Sequence, residues 1–120
     1  MQGNKEPNLI VDLTFNFALS IIKYAEGLEM NRKYVIARQL LKSGTSIGAN
    51  VREAQNAESK SDFIHKLKVG AKEADETEYW LLLCKSSEGY DNCDELLNNC
   101  LSIIKVLSKI IATSKSKVIN

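Results

Sequence analysis

The chain has 120 residues, enough for one domain and too few for two independent cores. Its composition, 44% hydrophobic and 26% charged, is that of a globular protein and excludes an intrinsically disordered or collagen-like chain. A formal net charge of +1 is too small to imply a nucleic-acid or membrane partner by itself, and no segment approaches the roughly 18 to 20 consecutive apolar residues of a membrane span.

Residues 1–8, MQGNKEPN, are polar and close on the single proline, Pro7. They are expected to form a disordered lead. They show no secretory pattern, so a cytoplasmic location is expected, with Cys84, Cys93 and Cys100 as reduced thiols. From residue 9 the apolar positions Ile10, Leu13, Phe17, Ile21, Tyr24 and Leu28 recur every three or four residues, which predicts a helix and does not fit strand alternation. Gly27 is the expected stop, because glycine tolerates the left-handed conformation, and 28–31 then makes a short connection.

A second helix is expected from Asn31 or Arg32, with Ile36, Leu40, Ile47, Val51 and Ala54 as its stripe. Its middle, Ser43-Gly44-Thr45-Ser46-Ile47-Gly48, is poor helix sequence, each glycine costing about 0.5–1 kcal/mol relative to alanine. Continuity there requires an offsetting gain. Gly44 and Gly48, four apart, would let a neighbouring backbone come close.

Ser59 and Asp62 make a capping-box arrangement that restarts the chain. Phe63, Leu67, Gly70, Ala74, Thr77, Leu81 and Cys84 then follow a 4-3 spacing, a heptad seam. The small residues Gly70, Ala71 and Ala74 predict a tight crossing. Gly89 ends this element, and Asp91 or Asn92 is expected to cap a fourth helix with an acidic first turn at Asp94 and Glu95. Leu97, Cys100, Ile104, Leu107 and Ile111 form its expected inner face, and the end from about Thr113 is expected to fray. The fold expected is therefore all-α, an antiparallel up-and-down four-helix bundle over residues 9–116, with a frayed tail at 117–120.

Few constellations suggest chemistry. The cysteines have no CxxC spacing and no histidine cluster, which points to small buried side chains rather than zinc ligands. Glu73 and Glu76 share a face with Trp80, but a di-iron bundle also needs Glu-x-x-His motifs, and the one histidine, His65, has none. Those glutamates read as a solvated face or as members of an ion pair. SGTSIG has no lysine after its glycines and no preceding strand, so it is no phosphate loop. No metal, cofactor or catalytic residue is implied, and a non-enzymatic protein is expected.

Arg38, Lys42 and Arg52 are more informative. With Thr45 and Ala49 between them they follow helical spacing and place three cations on one stripe. Such a row suits a phosphate backbone, or else is a solvated basic face or a set of salt bridges to acidic helices. Tyr79, Trp80 and Leu83 lie off the third helix's seam, and surplus apolar surface of this kind points to self-association or a partner.

The segment Gln39-Leu40-Leu41-Lys42-Ser43-Gly44-Thr45-Ser46-Ile47-Gly48-Ala49-Asn50-Val51-Arg52-Glu53-Ala54 resembles the signature of the four-helix bundle proteins encoded by intervening sequences in bacterial 23S ribosomal RNA genes. The continuations 58–67 and 72–81, the latter Lys72-Glu73-Ala74-Asp75-Glu76-Thr77-Glu78-Tyr79-Trp80-Leu81, resemble the same family. The family is similar to the accessory proteins of diversity-generating retroelements, which form pentameric rings and work with a reverse transcriptase and RNA. The resemblance implies the bundle fold and a homo-oligomer, with a pentamer favoured. Gly44, Gly48, Asn50 and Glu53 in the signature are assembly or interface candidates. Glu73, Glu76 and Trp80 in the continuation join them. The function expected is a self-assembling bundle that scaffolds or binds RNA or DNA through Arg38, Lys42 and Arg52; the alternative is a protein–protein interaction module with no nucleic-acid role.

Overall fold

The structure, a computed structural model, describes residues 8–119, with side chains placed to Ser116. The expected disordered lead, apart from Asn8, lies outside the described residues, as do Asn120 and the side chains of the expected tail. Four helices follow one another: α1 (Leu9–Met30), α2 (Tyr34–Ala54), α3 (Lys60–Ser86) and α4 (Asp94–Ile119). There is no strand among the described residues.

Neighbours in sequence are antiparallel neighbours in space. Gly44 lies against Ile21 while Gly48 lies against Thr14. Ser43 meets Thr77 while Glu53 meets Lys66. The Cys93 and Cys100 thiols point at the carbonyls of Leu81 and Ala74. Each helix packs on its chain neighbours and α1 closes on α4, whereas the backbones of the diagonal pairs stay apart. The core is one cluster running from Ile10 and Phe17 through Leu40 and Val51 to Leu81 and Leu107.

The α1 stop is not where glycine suggests. The helix runs past Gly27 to Met30 and buries Leu28, a gain of about 2 kcal/mol that outweighs the cost of one helical glycine. It ends in a Schellman turn: the Lys33 amide donates to the Leu28 carbonyl at 2.8 Å and the Arg32 amide to the Glu29 carbonyl at 2.9 Å. Arg32 takes the left-handed position, with φ 65°, and α2 starts at Tyr34 rather than at Asn31 or Arg32.

Helix α2 is continuous through SGTSIG. The hydroxyls find partners without leaving the helix: Thr45 Oγ1 donates to the Leu41 carbonyl and Ser46 Oγ to the Lys42 carbonyl, both at 2.7 Å. Gly44 and Gly48 face α1, so the glycine cost is offset by close helix packing within the bundle. Ser59 caps α3 by accepting from the Asp62 amide at 3.0 Å, and the seam Leu67, Gly70, Ala74, Thr77, Leu81 and Cys84 is buried, with Phe63 half-buried at its start. Gly89 has φ 84°, and the Asn92 side chain accepts from the Asp94 amide at 3.0 Å as α4 begins.

Helix α4 buries Leu97, Cys100 and Leu107 of the expected face and adds Ile103 to it. Ile104 and Ile111 are only half-buried at the rim. The helical backbone continues past Thr113 to Ile119. Its most apolar 18-residue window has a mean hydropathy of 1.4, so by length and composition this helix is apolar enough to cross a membrane. Asn98, Asn99, Ser102 and Lys105 recur on its outward side, the pattern of a helix that packs one face into a bundle.

Candidate assembly and nucleic-acid surfaces

Arg38, Lys42 and Arg52 are all exposed on the side of α2 turned away from the core. Fourteen residues separate the first from the last, about 21 Å of helix. The ion pairs among the described residues are Lys66–Glu53 at 2.9 Å and Lys85–Asp94 at 3.2 Å, so no carboxylate there sits within salt-bridge distance of the three α2 cations. The stripe is not uniformly polar. Arg52 lines a groove of about 230 Å³ between α1 and α2, together with Val11, Phe15, Ala18, Thr45 and Ala49. Above the groove Phe15, Leu19 and Ile22 are 56%, 52% and 38% exposed.

The interface candidates divide by location. Gly44 is buried: a Cβ there would meet the Ile21 side chain at 2.8 Å. At Gly48 it would meet the Thr14 carbonyl oxygen at 3.2 Å. Asn50 donates to the Ser46 carbonyl of its own helix at 2.8 Å, and Glu53 pairs with Lys66. On α3 the Trp80 indole N–H donates to a Glu76 carboxylate oxygen at 3.0 Å, which confirms their shared face. Glu73 is half-buried, and its carbonyl receives the Thr77 hydroxyl at 2.7 Å. Beyond Trp80 the helix presents Tyr79, Leu82 and Leu83, each exposed.

Three features escaped the sequence reading. Thr77 and Ser43, both buried, share a hydrogen bond of 2.9 Å between α3 and α2. Lys68 and Lys115, 47 residues apart, are brought together, and the Lys115 ammonium holds Lys68 below the ordinary lysine pKa. A cavity of about 480 Å³ lies between α1 and α4, lined by Ser20, Lys23, Tyr24, Asp91 and Glu95 among others. Only tertiary structure creates these juxtapositions; no spacing announces them.

The Tyr24 hydroxyl donates to the Asp91 carbonyl at 2.8 Å, and burial raises its pKa far above the ordinary value. Burial likewise pushes the Cys84 thiol to about 11 and the Cys100 thiol to about 12, which keeps both as neutral thiols at pH 7. Among the described residues no three His, Cys, Asp or Glu side chains converge as metal ligands do.

The four antiparallel helices, with a short basic stripe and exposed apolar faces, define an all-α bundle protein. The profile of the 23S rRNA-intervening sequence protein family matches residues 6–109, and the chain belongs to that family. It is similar to a protein of unknown function from the S23 ribosomal protein family of Bacteroides thetaiotaomicron, whose crystal structure was determined at 1.70 Å. The two are 42% identical, with a TM-score of 0.81, over 85% of this chain and 97% of the other. No curated protein matches the sequence.

Proposed function

We propose that this chain is a non-enzymatic cytoplasmic bundle that assembles with copies of itself, five favoured, and that the assembly scaffolds nucleic acid. The observation that carries the reading is the outer surface of α1 and α2, where exposed Phe15, Leu19 and Ile22 run beside the cations Arg38, Lys42 and Arg52. One copy offers too few cations for tight phosphate binding. Symmetric repetition multiplies them, and linked weak sites gain avidity without any new contact. The family name ties these proteins to 23S rRNA, which makes RNA the first ligand to test.

The test is binding of single-stranded RNA and duplex DNA across a salt series, with particle size measured in parallel by light scattering. The variant Arg38→Ala/Lys42→Ala/Arg52→Ala should lose affinity across sequences and flatten the log–log salt slope by about 0.9 per lost duplex phosphate contact, or about 0.7 for a single strand. At concentrations well above the assembly midpoint, size should be unchanged, because rim charges steer a contact that apolar area holds. Wild-type protein that binds neither ligand at about 50 mM salt removes the nucleic-acid reading. A second reading, a protein–protein interaction module, is supported by Arg52 lying in an apolar groove rather than on an open basic face. It predicts that the same variant changes size and leaves nothing else to lose.

A further inference from the structure

We infer that copies of this chain associate head to tail, the α1–α2 groove of one copy receiving the outer face of α3 from the next. The inference rests on the reading that the chain self-assembles, and adds which faces meet and in what sense.

Two apolar surfaces need covering, and they are different surfaces. One is the α1 face of Phe15, Leu19 and Ile22 beside the groove; the other is Tyr79, Leu82 and Leu83 on α3. Helices α1 and α3 lie diagonally across the core with their backbones apart, so these two outward-facing sets do not form one patch. A two-fold contact that pairs either surface with itself leaves the other open to water. A heterologous contact covers both with a single interface.

Charge selects the same pairing. Arg52 stands in the groove wall, with Arg38 further along the stripe, and neither has a carboxylate within salt-bridge distance among the described residues. Residues 72–78 of α3 hold Glu73, Asp75, Glu76 and Glu78 against Lys72 alone. Asp75 and Glu76 are exposed one helical turn before Tyr79. A basic rim on one apolar face and an acidic rim on the other favour α3 on the groove, and disfavour groove on groove or α3 on α3.

The experiment uses two variants of the full chain. Phe15→Glu/Leu19→Glu spoils the groove and places acid against the neighbour's acidic rim. Tyr79→Lys/Leu83→Lys spoils the α3 face and places base against the neighbour's arginines. Each should be folded by circular dichroism and monomeric at the 13.4 kDa chain mass. An equimolar mixture should form a one-to-one complex of twice that mass and stop there, because each variant retains one intact face. A variant that keeps the wild-type size, or a mixture of two folded monomers that stays monomeric, overturns the face assignment while leaving self-assembly standing. Wild-type protein that is itself monomeric at the same concentration removes the assembly reading and this inference with it. Should either double variant fail to fold, Leu19→Ser and Leu83→Ser are read in the same way.

Discussion

Gly44 and Gly70 both sit in helix interiors where alanine would ordinarily be preferred, and their surroundings give them opposite predicted responses. A Cβ at Gly44 would lie 2.8 and 2.9 Å from two carbons of Ile21, a side chain with no exposed surface and no room to retreat. At Gly70 the nearest atoms, on Asn50 and Ile47, are 3.6 Å away, an ordinary contact. Gly44→Ala should therefore destabilise by about 1–2 kcal/mol, overpacking exceeding the helix-propensity gain. Gly70→Ala should stabilise by about 0.5–1 kcal/mol. Urea titration of both variants checks the pair, and equal responses would show that α1 yields at Ile21. A third residue-scale outcome concerns pH. Cys100 has its thiol pKa raised from 9.0 to about 12 by burial, so its neutral form is favoured by folding. Its contribution is fully present below pH 9 and is lost as pH rises from there toward 12, because the unfolded chain ionises first. At pH 10.5 the loss is about 2 kcal/mol relative to pH 8. Cys100→Ala should lower stability at every pH and show a shallower alkaline decline than wild type; parallel curves would place the alkaline loss elsewhere.

At the scale of elements, the α1–α2 turn carries a cost that can be removed. Arg32 occupies the left-handed position of a Schellman turn whose two hydrogen bonds need only the backbone. Arg32→Gly should therefore stabilise by about 1 kcal/mol, the steric cost of a side chain at that φ, measurable as a higher urea midpoint with an unchanged slope. The same turn shows where sequence pattern runs out. Gly27 carried the stop signal, but a stop is decided by what the next turn buries, and Leu28 finds a core site. The α3 seam was legible because each of its 4-3 steps carries an unambiguously small or apolar residue between charged neighbours. In α4 the neighbours Ile103 and Ile104, and Ile110 and Ile111, offer two apolar rows about 100° apart. Which row turns inward is set by the rotation that α1 and α3 impose, and that appears only in three dimensions. Thr14 and Ala25 are core residues of α1 that a search for large apolar side chains passes over. The basic stripe was legible from spacing alone. Its border with an apolar groove was not, because the groove's other wall comes from α1.

At the scale of the whole molecule, the bundle is thin. Its radius of gyration is 15.5 Å, against about 13.6 Å for a compact chain of this length, and its extents are 51 × 32 × 20 Å. A flattened bundle has more surface per buried residue, and here that surface includes Phe15, Leu19, Tyr79 and Leu82. If copies cover those faces for one another, part of the stability of each chain belongs to the assembly and must follow mass action. For five subunits whose unfolding is coupled to dissociation, a hundredfold rise in protein concentration stabilises each chain by about four fifths of RT ln 100, or about 2 kcal/mol. For a chain of this size that raises Tm by about 6–12 °C. Thermal melts at about 1 and 100 μM should show that rise in wild type, while the groove variant Phe15→Glu/Leu19→Glu should melt at one temperature throughout. The two curves decide separate points. A wild-type Tm that ignores concentration means that the bundle completes its own stability alone, and that the exposed aromatic and aliphatic side chains do not stabilise it through contacts between copies.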